Sequence, residues 1–279
     1  MEYPLISVDW LAANLQNSAV KIIDGSWAMP GQVSAFDGFT KGHIPGAVFF
    51  DIDATANLES MLPHMAPSAE FFAERMGLLG ISENDQVIIY DQAGLFSAAR
   101  VWWTFKLMGH RNVWVLNGGL PAWRNSNQKI STDLSKISRQ LYRCSDREEI
   151  VADANDVKAA IKNVNAEILD ARPRDRFLGK VPEPRSGLRR GAMPKAINIP
   201  HTCLLDNGFL KSKEALAAIW KEAGLVENRP VITTCGSGIT AAVLFLGLTY
   251  SGWDKVKVYD GSWVEWGSED NDLSEFPIA

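Results

Sequence analysis

The chain is poor in the residues that build metal sites and disulfide frameworks. Of its 279 residues only three are cysteines, Cys144, Cys203 and Cys235; they are odd in number, far apart and form no C-x-x-C pair. Neither a disulfide scaffold nor a zinc site is supported by that pattern. The four histidines, His43, His64, His110 and His201, show no metal-ligand spacing, so no metal is expected. Long basic runs are missing and the net charge is −5, which argues against a nucleic-acid partner. No stretch approaches the roughly 18 uncharged apolar residues of a membrane span, so no membrane association is expected. The opening "MEYPLISVDWLAANLQ" has no basic region leading into an apolar one, hence no secretory signal, and the expected compartment is the cytoplasm. What remains is 46% hydrophobic and 22% charged, enough apolar material for one or two ordinary globular domains.

The chain repeats itself. "VIIYDQAGLFSAA" at 87–99 answers "VITTCGSGITAAV" at 231–243, and "VWVLNGGLPAW" at 113–123 answers "VKVYDGSWVEW" at 256–266. "KIIDGSW" at 21–27 answers "EILDARP" at 167–173, which sets Asp24 against Asp170, and "GHIPGAVFF" at 42–50 answers "GAMPKAINI" at 191–199. Four blocks in one order, about 145 residues apart, imply two homologous domains. The polar, weakly periodic stretch 124–151 separates them. The expected domains are residues 1–135 and 152–279, joined by a linker at 136–151.

Strand and helix signals alternate. In the second half "DANDVKAAIKNV" reads as a helix capped by Asp153 or Asn155, and "SKEALAAIWKEAGL" as an amphipathic helix opening at Ser212 and stopping near Gly224. "EILDAR", "KAINIP", "PVITT" and "VKVYDG" read as strands, and "TAAVLFLGLTYSG" as an apolar helix. Such alternation predicts an α/β fold, each half a mostly parallel sheet flanked by helices. Ligands of such sheets bind beyond the carboxyl ends of the strands, and Cys235 stands at the end of "PVITT".

A thiol acts as a nucleophile only as thiolate, and backbone N–H groups at a helix start favour an anion. Gly236 and Gly238 let the Cys-Gly-Ser-Gly turn curl so that successive N–H groups point inward. The bland alternative is a buried structural cysteine. The equivalent position in the first half is Asp91, so the first half keeps the frame without the nucleophile and is expected to be non-catalytic. The ten tryptophans, Trp102, Trp103 and Trp123 among them, read as core filling.

The twofold α/β repeat, "HIPGAVFFDID" in the first half and a cysteine loop opening a helix in the second resemble the rhodanese (sulfurtransferase) family. The loop "CGSGITA", with "DRFLG" at 175–179 and "PEPRSG" at 182–187, is similar to its 3-mercaptopyruvate sulfurtransferase group; thiosulfate sulfurtransferases typically carry basic residues where Gly236 and Ser237 stand. "GAMPKA" departs from the family's "GHIPGA" pattern at Ala192 and Lys195. The resemblance implies two tandem rhodanese-like domains and sulfur transfer from 3-mercaptopyruvate through a Cys235 persulfide to a thiol or cyanide, with pyruvate released and no cofactor. Thioredoxin is the candidate thiol acceptor. It further implies a Ser237–His64–Asp53 relay beside the cysteine, and substrate contacts from Arg176, Arg185 and the loop residues Gly236, Gly238, Ile239 and Thr240. Without the resemblance, the two arginines read as solvated surface residues, His64 as a loop histidine and Asp53 as a cap.

Alternatives are a thiosulfate:cyanide sulfurtransferase and a non-catalytic rhodanese-like binding or sulfur-carrier module. A cysteine phosphatase needs an arginine six positions after the cysteine, where Ala241 stands. A serine hydrolase at Ser237 lacks the G-x-S-x-G elbow, since Cys235 stands two residues before it, where the first glycine belongs.

Overall fold

The computed structural model describes residues 3–29, 31–144 and 149–279. They form two compact units. One comprises Met1–Glu59, Ala66–Glu148 and Asp206–Leu210; the other comprises Ser60–Met65, Glu149–Leu205 and Lys211–Ala279.

The first unit runs β1 (Leu5–Ile6), α1 (Val8–Asn14), β2 (Val20–Asp24), α2 (Ala35–Lys41), β3 (Val48–Phe49), α3 (Ile52–Thr55), α4 (Ala69–Leu78), β4 (Gln86–Tyr90), α5 (Ala98–Leu107), β5 (Val113–Leu116) and α6 (Gly119–Asn125). Its sheet has the order β1-β5-β4-β2-β3 with every pair parallel. The second half begins with β6 (Val151–Ala152), α7 (Ala154–Asn163), β7 (Glu167–Asp170), α8 (Arg174–Phe177) and β8 (Ile197–Asn198). A 3-10 turn at His201–Leu204 and a ribbon of β9 (Leu205–Asp206) and β10 (Phe209–Leu210) lead to α9 (Lys213–Glu222), β11 (Val231–Thr234), α10 (Ala241–Tyr250), β12 (Val256–Tyr259) and α11 (Ser262–Trp266). Its five-stranded sheet is ordered β6-β12-β11-β7-β8, again parallel throughout, so each strand has a counterpart in the other sheet. The register repeats as well. Asp24 pairs with Phe49 and Tyr90, and Asp170 with Asn198 and Thr234.

Local chemistry sets the helix ends. Asp153 and Asp156 form a capping box at α7: each carboxylate accepts the other's backbone N–H, at 2.9 and 3.3 Å. Ser212 Oγ caps α9 by accepting the Ala215 N–H at 3.3 Å. α10 is buried from Ala241 to Leu248, which its uniformly apolar sequence requires. Ile6, Ile22, Ile88, Leu116 and Trp123 are among the residues that fill one core of the first unit; Ile168, Ile232, Tyr259, Trp263 and Trp266 belong to the corresponding core of the second. Trp102, Trp103 and Trp123 are fully buried.

The polar stretch expected as a linker runs along the first unit. Ser131 bridges to His43, Gln140 N–H donates to the Gly77 carbonyl, and Tyr142 is buried with its hydroxyl 2.9 Å from His110 Nδ1. Residues 145–148 of that linker lie outside the described residues, and Val151 already belongs to β6. The "GAMPKA" departure leaves its turn intact. Lys195 has φ +64 where Gly46 has φ +82, and its ammonium donates to the Ile161 carbonyl. His43 is a structural residue, stacked on Phe39 with its Nδ1 on the Phe39 carbonyl at 2.8 Å.

Candidate active site

β11 is a run of buried β-branched residues, and it delivers Cys235 to the carboxyl edge of the second sheet with only 2% of its surface exposed. From there the chain curls through Gly238 (φ +81) into α10. α11 grips the base of the loop. Trp263 N–H donates to the Cys235 carbonyl at 3.0 Å and Val264 N–H to the Gly236 carbonyl at 2.9 Å, while Cys235 N–H donates to Ser262 Oγ at 3.3 Å. Ile239 is buried, and Thr240 stands half-buried at the N-cap of α10.

The first unit has the same loop with an anion inside it. The buried Asp91 carboxylate occupies the place of the thiol. Its Oδ1 accepts the Ala93 N–H at 3.0 Å; its Oδ2 accepts those of Phe96, Ser97 and Ala98 at 2.7, 2.9 and 2.9 Å. Leu120 N–H holds the Asp91 carbonyl at 2.9 Å, as Trp263 N–H holds that of Cys235. Around Cys235 the equivalent amides belong to Ser237, Thr240 and Ala241, with that of Ala242 turned to the Ile239 carbonyl at 3.3 Å. The first-unit turn is thus shaped to surround a negative charge.

Ser237 and His64 meet as a pair. Both are buried, with His64 Nδ1 3.0 Å from Ser237 Oγ and 3.2 Å from the Ser237 carbonyl. His64 has φ +65, an uncommon conformation for a side chain of its size, and belongs with Ser60–Met65 to the second unit. Asp53 lies in the first unit, exposed, in the first turn of α3, and its carboxylate accepts the Trp27 indole N–H at 3.1 Å. The capping role at α3 falls to Asp51, which accepts the Ala54 N–H at 2.9 Å.

Arg176 stands in an ion-pair chain with Arg172 that sequence reasoning missed. Arg172, buried at the end of β7, makes a forked contact with Asp170 (Nη2 to Oδ2 2.7 Å, Nε to Oδ2 2.9 Å) and donates Nη1 to Glu183 Oε1 at 2.8 Å. Its Nη2 also caps the Gly191 carbonyl at 2.9 Å, and its guanidinium lies 4.1 Å over the Trp263 ring. Burial alone would lower its pKa, but Asp170 and Glu183 hold it above the ordinary arginine value. The second oxygen of Glu183 accepts both Nε (3.1 Å) and Nη2 of Arg176. Arg176 is thereby aimed at the cysteine loop: a Cβ on Gly236 would stand 2.9 Å from its Nη2. Arg185, half-buried, follows two residues after Glu183. The available signal was "LDAR", an arginine two residues beyond the aspartate shared by both repeats.

Together these groups offer a buried thiol in a turn equivalent to the one that holds the Asp91 carboxylate, a serine–histidine pair able to move a proton, and a guanidinium suited to a carboxylate. Among the described residues no group of three or more His, Cys, Asp or Glu side chains is placed to hold a metal ion. A cavity of about 440 Å³ opens at the opposite, amino ends of β11 and β12, lined by Pro230, Val231, Lys255 and Val256, and holds none of this chemistry.

Two parallel sheets of one topology, with a loop thiol in the second and a carboxylate at the same place in the first, define a tandem rhodanese-like protein. Residues 7–126 and 153–269 each match the rhodanese-like domain, and the chain belongs to the rhodanese family. It is 41% identical over 275 residues to the 3-mercaptopyruvate sulfurtransferase of Escherichia coli strain K12, covering 98% of each chain. It is 37% identical over 289 residues to thiosulfate/3-mercaptopyruvate sulfurtransferase 1, mitochondrial, of Arabidopsis thaliana, covering 95% of this chain and 76% of the relative. Among solved structures it resembles SseA from Escherichia coli, a 3-mercaptopyruvate sulfotransferase. The TM-score is 0.86 at 39% identity, over 93% of this chain and 98% of SseA. Among the described residues no helix is long and apolar enough to cross a membrane.

Proposed function

We propose that the protein transfers sulfur from 3-mercaptopyruvate through a persulfide on Cys235, with residues 152–279 as the catalytic domain and the first-half domain non-catalytic. The names of the relatives support the donor. The observation that carries the persulfide is the Asp91 carboxylate, an anion held by four amides at the position the Cys235 sulfur takes in the second repeat. The Cys235 thiolate attacks the donor's sulfur, the S–C bond breaks, and its electron pair leaves on carbon as the pyruvate enolate. The proton of the donor thiol ends on that carbon, giving pyruvate, and the negative charge ends on the outer sulfur of Cys235, facing the loop amides. Ser237 and His64 carry the proton, with Asp53 as the proposed third member of the relay. Arg176 and Arg185 bind the donor carboxylate. An acceptor thiolate or cyanide then takes the outer sulfur and regenerates the thiolate, in a ping-pong scheme. The proposed acceptor is a thiol, with thioredoxin as the candidate, and the proposed compartment is the cytoplasm.

Steady-state comparison of donors tests this function. Thiosulfate brings a second negative charge that Gly236 and Ser237 do nothing to offset, so kcat/KM with mercaptopyruvate is expected to exceed that with thiosulfate more than tenfold. Ser237→Ala should slow the mercaptopyruvate reaction more than the thiosulfate one, since only the first moves a proton. Equal losses with both donors would remove Ser237, His64 and Asp53 from the chemistry.

The Arg176 contact makes a separate prediction. Arg176→Ala should raise KM for mercaptopyruvate about tenfold to a hundredfold, the loss of one charge-assisted contact. Gly236→Ala should act in the same direction but more weakly, about threefold to tenfold in KM, because Glu183 limits how far the guanidinium can retreat from the new methyl group. Unchanged KM in both variants would return Arg176 to the surface.

A further inference from the structure

We propose that Ser262 is a positioning residue for the nucleophile, held in a left-handed conformation that the first repeat gives to a glycine. This rests on the reading of Cys235 as the nucleophile. Ser262 opens α11 with φ +50 and is fully buried. Its counterpart, Gly119, opens α6 with φ +54. Both repeats therefore need a left-handed residue here, so that the next N–H can reach the carbonyl at position 91 or 235. Glycine meets that need without strain, and in the first unit nothing else fits: a Cβ on Gly119 would stand 2.5 Å from the Asp91 carbonyl oxygen and 2.7 Å from that of Gly94.

The second unit carries a side chain at this position despite the conformation, and that side chain has a defined task. Ser262 Oγ donates to the Tyr259 carbonyl at 2.8 Å and accepts the Cys235 N–H at 3.3 Å. The hydroxyl thus ties the end of β12 to the residue that follows β11. With Trp263 N–H on the Cys235 carbonyl, two consecutive residues hold both backbone polar groups of Cys235. Strain kept beside a reactive group, where an unstrained residue serves the other repeat, points to function. The function is directional. A pinned Cys235 backbone fixes where its sulfur sits relative to the loop amides, and small misplacements of a reacting atom lower the rate steeply. A looser backbone would also let the sulfur drift from the loop N–H groups proposed to favour its thiolate.

The test compares Ser262→Gly with Ser262→Ala. Both lose the hydroxyl, but glycine relieves the strain and alanine keeps it. Both are expected to lose at least tenfold in kcat at saturating mercaptopyruvate. In both, the midpoint of the pH dependence of Cys235 alkylation by iodoacetamide should move to higher pH, although their melting temperatures differ. Wild-type kcat and an unshifted alkylation midpoint in Ser262→Gly would overturn the proposal, as would a loss of activity that follows melting temperature between the two. Donor-dependent persulfide on Cys235 is measured first in the wild type; its absence would instead remove the nucleophile reading on which the proposal rests.

Discussion

Cys235→Ser is expected to yield a folded protein with no measurable sulfur transfer. The side chain is buried and small, and serine nearly matches its shape, so the β11–α10 turn should survive the exchange. The hydroxyl is a far weaker nucleophile at neutral pH and forms no persulfide. The positive counterpart is chemical. Wild type given mercaptopyruvate without an acceptor should gain one sulfur atom, found by mass spectrometry on the peptide that holds Cys235. Cys203 is exposed and Cys144 half-buried, so both serve as internal controls. Added sulfur on either of them, with none on Cys235, would overturn the assignment.

Asp91→Ala should have the largest effect on stability. The substitution removes the acceptor of four backbone N–H groups in a buried loop and leaves them facing an empty space. Orphaned buried donors cost about 1–3 kcal/mol each, and partial entry of water reduces the sum, so a loss on the order of 3–5 kcal/mol is expected. Equilibrium denaturation followed by a probe in the first unit measures it. Turnover per folded molecule should hold at low temperature, because the reaction is proposed for the other half. A change below about 1 kcal/mol would mean that the loop keeps its shape without an anion, and the parallel with the Cys235 loop would lose its force.

Much of this was legible in the sequence because it repeats. The alignment of Asp24 with Asp170 reappears as the same sheet register, and the position of Asp91 opposite Cys235 as the same grip on a backbone carbonyl. Ser212 and Asp153 cap the helices their side chains announced. What stayed hidden has physical reasons. β1 and β6 are two residues long, too short to show any period, yet each forms an edge of its sheet. The Asp170–Arg172–Glu183–Arg176 chain depends on side-chain rotamers across a loop, which spacing does not encode. No local rule places Ser60–Met65 with the second unit, and so brings His64 to Ser237 across the length of a domain in sequence. Ser262 carries no sign of its conformation in the sequence, since a left-handed backbone leaves a trace only where glycine supplies it.

The strand order also sets a timetable for synthesis. In each sheet the strand made first pairs only with the strand made last: Leu5 and Ile6 wait for Val115 and Leu116, and Val151 and Ala152 wait for Val258 and Tyr259. Neither sheet can close while its chain is still emerging, and such distant pairing slows folding. The first sheet nevertheless has all its strands once Leu116 has been added, long before the second half exists. Its nascent form is therefore exposed to the ribosome's surroundings for the whole time the second half takes to appear, at roughly 5–20 residues per second. The Asp91 carboxylate takes its amides from residues 93–98, so the polar centre of that half needs no partner from later in the chain.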